Sequence, residues 1–120
     1  GSERELNAYR DRKPNSVILS DGTVRNGYPR TVLNKANAPR ELEVTLQSDP
    51  LMSMRIIGAR EERPTQVSVG PDRTQDYRIF LSLPETGVDS PSEPVTFRVT
   101  DLETGETAET ESVFQTGDTR

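Results

Sequence analysis

The feature that most constrains this chain is a period of two. Between its prolines and glycines, apolar residues recur at every second position, as a strand with one buried face requires and a helix, with its period of about 3.6, does not. In Glu41-Leu42-Glu43-Val44-Thr45-Leu46-Gln47, the residues Leu42, Val44 and Leu46 fall on one face and Glu41, Glu43 and Thr45 on the other. Residues 66–69 repeat the pattern briefly. Tyr77, Ile79, Leu81 and Leu83 share one face of 77–83, and Val95, Phe97 and Val99 one face of 94–100. Further strands are predicted over 16–19, 28–34, 55–58 and 106–114. The last two strands join through Asp101-Leu102-Glu103-Thr104-Gly105-Glu106, with an acidic residue before the bend and a glycine after it, the signature of a hairpin. The returning strand carries Glu106, Glu109 and Glu111, which suits a sheet edge where charge blocks further pairing.

The stretches 37–40, 48–50 and 85–94 read as turns and loops. In residues 3–12, Leu6 and Tyr9 have a helical spacing, but the segment is short and Pro14 follows, so it reads as an extended lead-in. Seven or eight short strands and no long helix predict an all-β fold, an immunoglobulin-like antiparallel β-sandwich. It would lack the cysteine pair and tryptophan of antibody domains. One domain is expected over 14–116, with a lead-in over 3–13 and a tail over 117–120. Gly1-Ser2 reads as a cloning remnant on a piece of a longer protein.

Three residue types are missing altogether: cysteine, histidine and tryptophan. Their absence removes thiolate and imidazole metal sites, a cysteine nucleophile, a histidine-dependent triad, disulfides and a histidine pH switch. Leu, Ile, Val and Phe together make 26 of the 120 residues, which lies close to the line of about 20% below which a charged chain stays disordered. The core must be thin. The longest apolar run is Val17-Ile18-Leu19, far short of the roughly 20 residues that cross a bilayer, so direct membrane insertion is not expected.

The net charge of −5 is split: residues 1–60 carry 10 basic and 7 acidic side chains, residues 61–120 carry 5 and 13. The basic residues are scattered singly, which argues against nucleic acid as a partner. The split can orient a partner, or can reflect solvated strand faces.

Candidate sites are few. Glu61-Glu62, Asp72 with Asp76, and Glu103, Glu106, Glu109 and Glu111 supply paired carboxylates, but acid–base cleavage of a glycoside needs one desolvated carboxyl and aromatic platforms. Solvated outward positions are the simpler reading. Residues 69–76 approach a calcium loop and depart from its pattern. Met52-Ser53-Met54 could place two thioethers on one side of an extended segment, a soft pair suited to Cu(I), or could fill gaps at the edge of a small core. Gly22 and Gly27 do not form a phosphate loop, since neither opens a helix.

Tyr9-Arg10-Asp11-Arg12-Lys13-Pro14, then Leu19-Ser20-Asp21-Gly22-Thr23-Val24-Arg25-Asn26-Gly27-Tyr28, then Leu33-Asn34-Lys35 together resemble the C-terminal immunoglobulin-like domain of the FixG/CcoG/RdxA family. Phe97-Arg98-Val99-Thr100-Asp101 and Phe114-Gln115-Thr116-Gly117 resemble that family's ending more loosely. The resemblance implies a parent that is a membrane-anchored protein with [4Fe-4S] clusters, acting in maturation of cbb-type cytochrome c oxidase and in copper reduction. It implies a position on the periplasmic side of the bacterial inner membrane, tethered through the parent's transmembrane helices. No cluster ligand lies in this chain, so no cofactor is expected in it and the chain is expected to be non-catalytic. The implied partners are the parent's membrane part or oxidase assembly factors, with the fragment itself a monomer.

Within the matching segments, Asp21-Gly22 is expected to form a turn, Asn26-Gly27 a second bend, and Asn34 to satisfy backbone groups at a strand end. Arg12 and Arg25 are the interaction candidates, each also placed for a local ion pair with Asp11 or Asp21. Two other readings stand beside this one: a Cu(I)-handling module using Met52 and Met54, and an unrelated adhesin-like β-sandwich.

Overall fold

In the computed structural model, residues 14–47, 52–84 and 92–116 are described. They form eight strands: β1 (Asn15–Ile18), β2 (Val24–Asn34), β3 (Arg40–Leu46), β4 (Ser53–Ile57), β5 (Gln66–Val69), β6 (Arg73–Leu83), β7 (Ser92–Asp101) and β8 (Thr107–Gln115). All pair antiparallel. One sheet has the order β1-β2-β6-β4 and the other β5-β3-β7-β8. The first is the A-B-E-D sheet of a constant-type immunoglobulin domain, and β3, β7 and β8 take the C, F and G places. The extra strand β5 lies outside β3, the chain crossing to that sheet between β4 and β6.

Alternation predicts the buried faces. Val24, Tyr28 and Val32 of β2, Ile56 of β4, and Tyr77, Ile79, Leu81 and Leu83 of β6 meet Leu42, Val44, Val67, Val69, Val95, Phe97 and Phe114 of the opposite sheet. At the centre, the rings of Tyr28 and Phe97 stand edge to face with centroids 5.0 Å apart. That arrangement is favoured by the ring quadrupoles. The Tyr28 hydroxyl donates to the Val113 carbonyl at 2.7 Å, so a large core residue of one sheet is tied to the edge strand of the other.

Each predicted strand is present, and the differences in length have local causes. The expected bend at Asn26-Gly27 does not exist: both residues lie inside β2, in unbroken register with Leu81 and Phe80. Gly27 is in the strand because of crowding, not backbone curvature. A Cβ there would sit 3.0 Å from Phe80 Cε1, and the glycine has no positive φ. Strand β6 likewise starts at Arg73, so the latter half of the segment compared with a calcium loop is strand. Residues 92–94, read as loop, begin β7. Pro94 is tolerated there because β3 pairs with β7 only from Phe97 onward, leaving no ladder bond for proline to break on that side.

The turn at Asp21-Gly22 forms as expected. Asp21 Oδ1 accepts the Thr23 N–H at 2.9 Å, and Gly22 takes a left-handed φ of 90°. The β7–β8 hairpin also forms as expected, with Asp101 Oδ1 accepting the N–H of Glu103 at 2.8 Å and Gly105 left-handed at φ 79°. Strand β8 is an edge strand, as its glutamates predict. The lead-in with Arg12, the turns at 48–50 and 85–91, and the tail at 117–120 fall outside the described residues.

Candidate interaction surface

The segments that carry the family resemblance turn out to hold the fold together. Asn26 is fully buried, and its Nδ2 donates to the Gln115 carbonyl at 2.7 Å while its Oδ1 accepts the Gln115 N–H at 2.8 Å. Ser16 Oγ donates to the same carbonyl at 3.0 Å. Asn34, also buried, donates through Nδ2 to the carbonyls of Ala38 and Gly70, both at 2.9 Å, and accepts the Ala36 N–H at 3.0 Å. It joins the β2–β3 connection to the end of β5, as expected for an amide at a strand end.

Carboxylate chemistry finds no support in this arrangement. Glu62 is held below the usual carboxylate range by the hydrogen bond from Arg60 at 2.9 Å, and Asp21 by the Thr23 backbone N–H. Burial pushes the Glu41 carboxyl up, but hydrogen bonds from Ser68 and Gln66 and the Arg60 charge outweigh it and leave the group lowered. A general acid at neutral pH needs the opposite shift. Asp76 accepts the Thr31 hydroxyl at 2.8 Å, and Asp72 lies in the β5–β6 turn with its N–H bonded to the Ala36 carbonyl at 2.9 Å. Among the described residues there is no group of three or more metal-ligating side chains. The chain contains no cysteine, so its donor set does not fit the thiolate ligation of an iron–sulfur cluster.

Met52 is buried in the core and Met54 packs against it beside Leu81. Both thioethers face inward, on the same side of the strand as Ile56. That is the placement of gap-filling methionines.

Arg25 is different. It makes no ion pair with Asp21; its guanidinium stacks over the Phe80 ring, 4.5 Å from the centroid. It lies on the outer face of the β1-β2-β6-β4 sheet. Across that face Gly27 lies opposite Phe80, Phe80 opposite Arg55, Arg25 opposite Ser82 and Arg78 opposite Ile57. Arg25, Arg55 and Arg78 therefore surround Phe80 on three sides. Among the described residues, none of the three arginines has a carboxylate within ion-pair distance. The space left by Gly27 lets the Phe80 ring and the Arg78 stem, whose Cδ lies 4.0 Å from the glycine's Cβ position, lean over it. The sequence singles out Arg25 as a candidate but not its neighbours on this face, Arg55, Arg78 and Phe80. The signal was their outward register on β4 and β6, which single strands do not disclose.

The opposite sheet has the opposite character outside. Three of its outward acids have partners: Glu109 with Arg98 at 2.6 Å, Glu41 with Ser68 at 2.6 Å and Gln66 at 2.8 Å, and Glu43 with Thr65.

A two-sheet sandwich of this strand order, without a catalytic or metal-binding cluster among the described residues, defines an immunoglobulin-like module. Residues 2–117 match the family described as "IG-like fold at C-terminal of FixG, putative oxidoreductase". The chain belongs to that family of FixG C-terminal immunoglobulin-like domains. It is 36% identical over 83 residues to the nitrogen fixation protein FixG of Rhizobium meliloti (strain 1021), a match covering 68% of this chain and 16% of that protein. The chain thus corresponds to a small part of the curated relative. Among solved structures it resembles the crystal structure of a FixG-related protein from Vibrio parahaemolyticus, with a TM-score of 0.71, 22% identity, and coverage of 92% of this chain and 94% of that one. That likeness concerns the fold.

Proposed function

We propose that this chain is the non-catalytic accessory and interaction domain of a FixG/CcoG-type membrane-anchored iron–sulfur protein. Its role is to contact a protein partner during cbb-type cytochrome c oxidase maturation and the associated copper reduction. Membership of the FixG C-terminal family supports the parent's identity. The observation that carries the interaction role is the outer face of the β1-β2-β6-β4 sheet, where three arginines lie around Phe80 without carboxylate partners among the described residues. Like charges gathered on a face lower the stability of the free domain slightly, and the arrangement is explained if a partner neutralises them.

In this reading the clusters and the electron transfer belong to the parent's other segments. The domain lies on the periplasmic side, joined through its lead-in to the parent's last membrane helix. Its partner is the parent's own membrane part or an oxidase assembly factor.

The test is removal of this domain from the full-length parent in its own host. The expected result is an unchanged iron–sulfur content by absorbance and electron paramagnetic resonance, with oxidase activity reduced at limiting copper. Unchanged oxidase activity overturns the reading, and so does loss of the clusters.

A further inference from the structure

The three arginines, which have no carboxylate partner among the described residues, also specify what the partner brings. We propose that the outer face of the β1-β2-β6-β4 sheet docks an extended, carboxylate-bearing segment of a partner polypeptide, with Arg55 and Arg78 holding carboxylates and Phe80 forming the platform between them. This deepens the interaction role proposed above and rests on it.

The geometry follows from strand register. Phe80 is directly across from Arg55, and Arg78 is the next residue along β6 on the same face. Arg55 and Arg78 are therefore diagonal neighbours, about 7–8 Å apart at this spacing. Side chains two apart on an extended segment are separated by about 7 Å, so alternate carboxylates reach both guanidiniums at once. Each guanidinium accepts a carboxylate through two parallel hydrogen bonds. Arg25, already stacked on Phe80, keeps the ring in place and adds a third positive charge at the far side.

A second copy of this chain is the poorer source of alternate carboxylates: of the two outward glutamates of β8, Glu109 is paired with Arg98 and only Glu111 has no partner among the described residues, while Glu41 and Glu43 of β3 are engaged with Arg60, Ser68, Gln66 and Thr65. An anionic lipid surface is also the poorer fit. Phe80 is half-buried beneath a guanidinium, whereas lipid binding uses apolar side chains that project into the headgroup region. An arginine-rich patch with an aromatic centre is the composition of a protein interface core.

The experiment is an amide chemical-shift titration of the 120-residue chain with a short synthetic peptide bearing glutamate at alternate positions. Its glutamine counterpart and phosphatidylglycerol vesicles serve as separate arms. The expected result is a set of shifts confined to residues 25–29, 53–57 and 78–82, with binding at least about tenfold weaker in Arg55→Gln/Arg78→Gln, as loss of two charge-assisted pairs implies. Both arginines are exposed, and an unchanged denaturation midpoint shows that the variant is folded. Equal binding of the glutamate and glutamine peptides, shifts on the other sheet, an unaffected variant, or binding to vesicles alone each overturn the proposal. If removing the domain impairs oxidase maturation while Arg55→Gln/Arg78→Gln in the parent does not, the docking chemistry fails and the interaction role survives. If removal has no effect, the interaction role itself fails.

Discussion

Asn26 and Gln115, 89 residues apart, exchange two hydrogen bonds: the Asn26 amide donates to the Gln115 carbonyl at 2.7 Å and accepts its N–H at 2.8 Å. The side chain completes on β8 the pairing that a neighbouring backbone would otherwise provide, and so fastens one sheet to the end of the other. Asn26→Asp keeps the shape and removes the donor, setting a carboxylate against a carbonyl in a fully buried position. The expected loss is about 3 kcal/mol. It is measured as a lower midpoint in urea with an unchanged slope; a loss below about 1 kcal/mol would show the bracket to be incidental.

Gly27 is required by the Phe80 ring and not by a turn, so the two explanations predict different outcomes. Gly27→Ala places a methyl 3.0 Å from Phe80 Cε1. The ring lies on the outer surface and can rotate, so the cost is expected to be about 1 kcal/mol, in the range of mild overpacking. The Phe80 ring proton resonances should move, because the Arg25 stack is displaced. Unaltered Phe80 resonances would contradict this account.

Two ion pairs on the same sheet should differ in weight. Asp101 is 2% exposed and Arg40 13%, whereas Arg98 and Glu109 are 42% and 47% exposed. Arg40 Nε is already buried without a hydrogen-bond partner among the described residues, so removing the Asp101 carboxylate leaves the guanidinium with only the exposed Glu103, 3.1 Å away, and frees the turn N–H groups of Glu103 and Thr104. Asp101→Ala is expected to cost about 3 kcal/mol, and Glu109→Ala less than about 1 kcal/mol. Thermal or chemical denaturation of the two variants side by side reads the difference, and equal losses would refute the ranking.

Acid stability reports on Glu41. Its carboxyl lies below the ordinary value of 4.5, because the hydrogen bonds from Ser68 and Gln66 and the Arg60 charge outweigh burial. In the pH window just below that value the folded chain binds fewer protons than the unfolded one. The stabilisation is therefore present above the unfolded pKa and disappears as pH falls through the folded one. Glu41→Gln should flatten the acid limb of stability against pH; an identical limb would show that other carboxyls govern it.

The strands were legible because each is a local matter. Alternation in residues 41–47 and 77–83 marks a half-buried strand whatever lies beside it, and Asp21-Gly22 and Asp101 to Gly105 mark turns through their own backbone preferences. Asn26-Gly27 misled because the dipeptide is a turn signal in isolation. Here Asn26 gains two bonds to a distant backbone and Gly27 makes room for a side chain on the next strand, and neither gain is visible within β2. Arg25 could be picked out by its segment, but not its stacking partner.

The sequence by itself determined an all-β chain with alternating faces, and it determined that no thiol or imidazole chemistry can occur in it. Tertiary structure decided which outward residues become neighbours. Alternation states which side of a strand a residue occupies, but β2, β6 and β4 lie together only because their apolar faces share one core with the opposite sheet. That order brings Arg25, Phe80, Arg78 and Arg55 to one face. The same packing brings Gln115 to Asn26. Such contacts depend on burial summed over both sheets, a quantity no single segment carries.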